Sequence, residues 1–283
     1  MSPTTHHIVV IEAIHCPIPE FNLPEPHTRA IHRWTEPSEL PSRVKDATIL
    51  ITTTIRLNAE TLSPSITPNL RLIVIMATGT DCVDIAAATA RNIPVCNCPG
   101  SNIDSVSEHA IGLYFATRRK FVELHNATAA VPTDPALDTE WKTNGSLLSR
   151  VRASDGKAPL LCADETVCVV GYGALGKRIE TLARALGMEV IIAERKGGGI
   201  VDEKALLGAL KRGVIAGAAT DVYAVEPAGR GDSPLLSEEA KGLNLVLTPH
   251  LAWYSEKTLR NLQATVKNTV EKWCVGETIN QVG

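Results

Sequence analysis

The chain has 283 residues, 44% of them hydrophobic and 21% charged, with 28 basic against 31 acidic side chains and a formal net charge of −3. That balance suits a globular chain long enough for two modest domains, and it gives no electrostatic footprint for nucleic acid or a membrane surface. No apolar run reaches the roughly 18 residues that a membrane-spanning helix needs.

The chain passes from Met1 to His7 straight into Ile8-Val9-Val10-Ile11, without the basic start, long apolar core and small-residue cleavage site of a secretory signal. A cytoplasmic location is expected. The seven cysteines are odd in number and scattered, which is no disulfide framework. Cys96 and Cys98 flank Asn97, but no second pair or histidine cluster completes a zinc site, so no metal is expected.

Apolar strand-like runs alternate with helical stretches, the pattern of an α/β fold with a largely parallel sheet. Strands are predicted at His7–Ile11, Ala47–Thr52, Leu72–Met76 and Pro94–Asn97, with a helix at Cys82–Asn92. A helix from Ser105 to about Asn126 follows, with Ser105 as its N-cap and Glu108 closing a capping box. The stretch from Ala127 to Glu165 carries Pro132, Pro135, Gly145, Gly156 and Pro159, and reads as a connection holding at most a short helix. A second unit opens at Thr166. It runs through helices at Leu175–Leu186 and Asp202–Arg212, strands at Glu189–Ala193, Ile215–Val222 and Asn244–Thr248, and a terminal helix at Ser255–Val275.

The strongest local signal is Gly171-Tyr172-Gly173-Ala174-Leu175-Gly176, which closes the apolar strand Val167-Cys168-Val169-Val170 and opens a helix. A bare GxGxxG is weak, but this context is the one its mechanism requires. Gly171 permits the tight turn, Gly173 lets the backbone approach a pyrophosphate, and Gly176 lets helix and strand pack closely. The helix N-terminus adds free N–H groups and partial positive charge. Glu194 ends the next strand, close to the ~20-residue distance at which a carboxylate takes the ribose hydroxyls of NAD. Arg195 and Lys196 beside it suit a 2′-phosphate, so NADP stays open.

Further segments resemble one family, the D-isomer-specific 2-hydroxyacid dehydrogenases. Met76-Ala77-Thr78-Gly79-Thr80-Asp81 is similar to the family loop whose backbone receives the substrate carboxylate. Asn97-Cys98-Pro99-Gly100-Ser101-Asn102, leading into Ser105-Val106-Ser107-Glu108-His109, resembles the hinge into the nucleotide-binding domain. Gly217 to Pro227 resembles the segment bearing the catalytic glutamate, and Thr248-Pro249-His250 with Ala252-Trp253 the catalytic histidine motif. Trp253 is similar to the glycerate dehydrogenase and hydroxypyruvate reductase branch, and also to the C-terminal-binding-protein corepressors.

The resemblance implies two Rossmann-like domains. A flavodoxin-like substrate domain spans residues 1–104, completed by 255–283, and an NAD(P)-binding domain spans 105–254. It implies His250 as the acid–base group, Glu226 fixing its ring, and Asp221 on the nicotinamide carboxamide. Thr78 would touch cofactor and substrate, with Gly79, Thr80 and Trp253 on the substrate side. An imidazole suits the proton transfer that accompanies hydride transfer to a 2-keto acid. His109, at the start of the crossing helix, reads as structural. The partners implied are a small 2-keto or 2-hydroxy acid and a second copy in a homodimer.

One family group is absent. An arginine that grips the substrate carboxylate precedes Gly-Gly-Ile-Val-Asp in the family, and in Gly198-Gly199-Ile200-Val201-Asp202 that position holds Gly197. Arg195 is the nearest candidate to replace it. Gly197 stands three positions after Glu194, where the resemblance implies roughly fifty residues that hold the remainder of the first half of the nucleotide fold and the strand carrying the arginine. Four strands are readable between Val167 and Thr248, against about six in a full dinucleotide fold. The domain is therefore expected to be shortened near residues 195–198, with the carboxylate deprived of a bidentate partner and activity weakened or lost. A skipped coding segment and a natural short relative both fit. An NAD(H)-binding regulator of corepressor type is the alternative to an enzyme.

Overall fold

The computed structural model describes residues 5–153, 155–193 and 201–282. The chain divides into two compact units, one made of Met1–Asn102 with Tyr254–Gly283 and the other of Ile103–Trp253.

The first unit is built on five parallel strands: β1 (His6–Val10), β2 (His27–Ile31), β3 (Ile49–Thr52), β4 (Leu72–Ile75) and β5 (Val95–Cys96). Their order β2-β1-β3-β4-β5 is the flavodoxin-like one. Every residue of β3 and β4 is buried, so the apolar runs Ile-Leu-Ile and Leu-Ile-Val-Ile belong to strands covered on both faces. Val9, Leu50, Ile73, Ile75 and Val95 join the side chains of Leu40 and Val44 from α1 (Leu40–Val44) and of Ala88 from α2 (Ile85–Ala90) in one core. The C-terminal helix α9 (Glu256–Cys274) returns to this unit. Ser255 caps it, and Leu262, Val266 and Val270 form its buried stripe at helical spacing.

The second unit begins with α3 (Ile103–Arg118), α4 (Phe121–Ala129), α5 (Glu140–Asn144) and α6 (Leu148–Val151). Then come β6 (Thr166–Val170), α7 (Ala174–Ala185), β7 (Glu189–Ala193), α8 (Glu203–Lys211), β8 (Ala218–Thr220) and β9 (Leu245–Leu247). Among the described residues its strands form two separate parallel pairs, β6-β7 and β8-β9. Helix α3 packs against α7 and also against β8 and β9, so it supports both pairs. A small core of Leu207, Leu235 and Ala240 lies under α8.

Four local expectations need correction. The connection from Ala127 to Glu165, expected to hold at most a short helix, holds both α5 and α6. The helix expected from Ser105 to Asn126 is two, because Lys120 adopts a left-handed φ of 50° that ends α3 and starts α4. Ser105 is not an N-cap, since α3 already begins at Ile103, and its hydroxyl instead donates to the Ala252 carbonyl at 2.8 Å. Strand β2 has no counterpart in the sequence reading. It is a sheet-edge strand of His-Thr-Arg-Ala-Ile, mostly half-buried, without the apolar run that marked its neighbours. No helix among the described residues is long and apolar enough to cross a membrane.

Candidate active site

Asp202 caps α8 by accepting the Lys204 and Ala205 N–H groups, which sets the buried Glu203 at the first helical position. Glu203 Oε1 accepts the Ala224 N–H at 2.8 Å and Oε2 accepts the Ser233 hydroxyl at 2.6 Å. The loop beyond β8 is thereby pinned two residues before Glu226. Glu226 in turn accepts the Tyr223 N–H on Oε1 (2.7 Å) and stands 2.5 Å from His250 Nδ1 with Oε2. Nδ1 is thus engaged by a fixed carboxylate, which leaves Nε2 as the nitrogen able to exchange a proton with a ligand. The imidazole is 55% exposed, accessible for such an exchange.

His250 itself has a φ of 55°, a left-handed conformation that costs an L residue about 1–2 kcal/mol and needs surrounding structure to hold it. Asp221 supplies that hold. Its Oδ1 accepts the Thr248 hydroxyl (2.6 Å) and the Leu251 N–H (3.1 Å), and its Oδ2 accepts the Ala252 N–H (2.8 Å). The Tyr223 hydroxyl donates to the Thr248 carbonyl at 3.1 Å. His109 Nε2 lies 3.0 Å from Thr248 Oγ1 and 3.7 Å from Asp221 Oδ1. Burial, with the charges of Asp221, Glu203 and Glu226 nearby, pushes the Tyr223 phenol upward. The supporting roles of Glu203, Tyr223, Thr248 and His109 had no signal in the sequence beyond adjacency to the motifs.

The glycine turn has the geometry of a dinucleotide cradle. Gly171 has a φ of 91° and its N–H donates to the Ala193 carbonyl at 2.8 Å, tying β6 to β7. A Cβ on Gly176 would stand 2.2 Å from the Gly171 carbonyl oxygen, so the close approach of helix and strand requires glycine there. Gly173 is the N-cap of α7 and offers no side chain to the first N–H groups, and a Cβ on it would meet nothing within 4 Å. Ala174 and Leu175 form the first turn and are exposed. Tyr172 turns away from the turn, its hydroxyl donating to Glu180 and its ring facing the Lys177 ammonium at 5.6 Å. An open helix N-terminus beside bare backbone fits a pyrophosphate. Glu194, Arg195 and Gly197 lie outside the described residues.

In the first unit, Thr78 and Gly79 are exposed beyond the end of β4, with Thr80 half-buried. The Thr78 hydroxyl donates to the Cys98 carbonyl (3.1 Å), and its own carbonyl accepts from the Asn97 side chain (2.8 Å). Trp253, half-buried, closes the second unit. The neighbouring turn after β3 is fixed by Glu12, a fully buried carboxylate that accepts the N–H groups of Thr53 and Thr54 at 2.6 Å, of Ile55 at 2.7 Å, and the hydroxyls of Thr52 and Thr54. Burial alone would raise its pKa. Hydrogen bonds from His15, the Ile55 N–H, Thr54 and the Thr53 N–H outweigh it and bring the group to about 2.

Comparison with known proteins gives one family. The description "D-isomer specific 2-hydroxyacid dehydrogenase, catalytic domain" matches residues 8–282. Glycerate dehydrogenase of Methylorubrum extorquens is 31% identical over 331 aligned positions, covering 96% of each chain. That alignment is longer than the 283-residue chain by 48 positions, so the relative fills at least that many positions that this chain lacks. The NAD complex of formate dehydrogenase from Staphylococcus aureus superposes with a TM-score of 0.72 at 18% identity, over 98% of this chain and 99% of that one. A glyoxylate/hydroxypyruvate reductase of Sinorhizobium meliloti, in complex with NADP and malonate, gives 0.69 at 22% identity, over 99% and 97%.

Proposed function

Because the chain belongs to the D-isomer-specific 2-hydroxyacid dehydrogenases, we propose that it interconverts a small 2-hydroxy acid and its 2-keto acid, of the glycerate/hydroxypyruvate or glyoxylate type, with NAD or NADP. The observation that carries this reading is the Glu226–His250 pair at 2.5 Å on a loop clamped by Asp221. When bound, the nicotinamide supplies or accepts the hydride. His250 gives its Nε2 proton to the carbonyl oxygen in the reductive direction and takes it back in the other, a role worth about 10²–10⁴-fold. Glu226 keeps the ring oriented and balances its charge. Gly171, Gly173 and Gly176 hold the pyrophosphate on the N-terminus of α7, with Glu194 and Arg195 on the adenosine ribose. The Thr78–Thr80 backbone receives the substrate carboxylate, and Trp253 bounds the substrate.

The family arginine position is Gly197, so the carboxylate lacks its bidentate grip and turnover is slow in this reading. Purified chain mixed with hydroxypyruvate or glyoxylate and NADH or NADPH tests it, read by loss of reduced-nicotinamide absorbance. Turnover that His250→Gln abolishes supports the proposal. Turnover that His250→Gln leaves unchanged, or nicotinamide binding with no keto acid reduced at any concentration, overturns it. Arg195→Ala separately tests whether Arg195 stands in for the missing group. We read the working form as a cytoplasmic homodimer, and sedimentation velocity checks its size.

A further inference from the structure

Glu226 and His250 stand on two arms, one following β8 and the other β9. These strands have three residues each, and their ladder runs to Thr220 and Leu247. The Thr248 N–H then donates to the Thr220 carbonyl at 3.0 Å. Past that bond the ladder does not set how far Glu226 stands from His250. Their direct contact is a weak guide to its own geometry, because the imidazole is 55% exposed and water competes for both partners.

Tyr223 touches both arms. Its backbone N–H donates to Glu226 Oε1 at 2.7 Å, which fixes the carboxylate. Its phenol hydroxyl donates to the Thr248 carbonyl at 3.1 Å, on the residue two before His250. Thr248 is held at its other end too, its hydroxyl lying 2.6 Å from Asp221 Oδ1 and 3.0 Å from His109 Nε2. The Ala224 N–H on Glu203 at 2.8 Å anchors the backbone just beyond Tyr223. Burial, followed by the charges of Asp221, Glu203 and Glu226, pushes the phenol pKa upward, so the hydroxyl keeps the proton it donates through neutral pH.

We propose that Tyr223 is a positioning residue for the acid–base pair, its hydroxyl setting where His250 Nδ1 stands against Glu226 Oε2. The role rests on the reading of His250 and Glu226 as that pair. With the hydroxyl in place, Nδ1 of the neutral ring carries the proton that Glu226 accepts, and Nε2 is free for a ligand. Without it the Thr248 carbonyl is released, the alignment of Nδ1 with Oε2 loosens, and the ring proton redistributes toward Nε2.

Tyr223→Phe removes one oxygen and keeps both the ring and the N–H to Glu226. The nitrogen-15 shifts of the His250 ring, measured without cofactor or substrate, give the ratio of Nδ1–H to Nε2–H forms of the neutral imidazole. That ratio is expected to fall by about three- to tenfold, the effect of one lost hydrogen bond. Added to Glu226→Gln, the same substitution is expected to change it by less than about twofold. Where the chain reduces a keto acid, kcat falls by the same factor as the ratio and KM stays within about twofold. A ratio that Tyr223→Phe leaves unchanged overturns the proposal. An equal fall in the Glu226→Gln background also overturns it, since the hydroxyl would then act without the pair, as does a rise in KM at constant kcat. A chain that reduces no keto acid but shows the expected fall in the ratio supports the positioning role while refuting the proposed reaction.

Discussion

Asp221 Oδ2 accepts the N–H of Ala252 at 2.8 Å, reaching across the loop so that one carboxylate holds the backbone on the far side of His250. Its other oxygen holds Thr248 before the histidine and Leu251 just after it. The left-handed φ at His250 is thus braced from both directions.

Asp221→Asn would place an amide donor or a neutral carbonyl where charged acceptors now stand. Hydrogen bonds to a charged group contribute about 1.5–3 kcal/mol. The variant should show faster amide exchange at Leu251 and Ala252 and a fall in kcat of about tenfold or more. Unchanged exchange at both amides would show that the loop holds its shape without the carboxylate.

Glu226→Gln and His250→Gln should each reduce kcat by about 10²–10⁴-fold, the usual worth of a positioned general acid or base. NADH affinity should stay within about twofold, since neither residue belongs to the glycine turn. Because the two act as a pair, the double variant should lose little more than the worse single one. Additive losses would mean separate roles.

Gly173→Ala and Gly176→Ala separate binding from folding. Alanine at 173 meets open space and has an extended backbone, so melting should be unchanged while NADH binding weakens by about tenfold, the methyl group intruding on the pyrophosphate. Alanine at 176 collides with the Gly171 carbonyl and should cost about 1–3 kcal/mol of stability as well. Calorimetry with and without NADH distinguishes the two.

Glu12 links stability of the first unit to acid pH. Its folded pKa of about 2 lies below its ordinary 4.5. Its contribution is therefore full above pH 4.5 and is lost as pH falls toward 2. The shift corresponds to about 3 kcal/mol. Glu12→Gln should flatten the acid limb of the stability curve and destabilise the unit at neutral pH, measured by denaturant melts at several pH values. A variant with an unaltered acid limb would assign acid unfolding to other carboxylates.

Periodicity and burial made most of the architecture legible. The apolar runs at Ile49–Thr52 and Leu72–Ile75 are strands, and Asp202 and Ser255 cap the helices they precede. Edge strand β2 escaped because a half-buried strand carries little apolar signal. The break at Lys120 escaped because a single backbone torsion leaves helical spacing intact on either side. At the site, His250, Glu226 and Asp221 lie in motifs that sequence can display. The grip of Glu203 on Ala224 and of Asp221 on Ala252 is side chain to backbone between distant positions, and a backbone N–H has no residue identity to read.

In the β6-β7 pair Cys168, Val170 and Ile191 share one face and are exposed on it, Cys168 standing beside Ile191, and that face bears on the lifetime of the chain in a cell. Contiguous exposed apolar surface is what chaperones and proteases sort by, and modest losses of burial translate into several-fold changes in steady-state amount. Cys168, Val170 and Ile191 sit together in the middle of the unit, where fraying or trimming at an end cannot hide them. A change that covers that face, with His250 and Glu226 untouched, is therefore expected to raise the amount of this protein that accumulates.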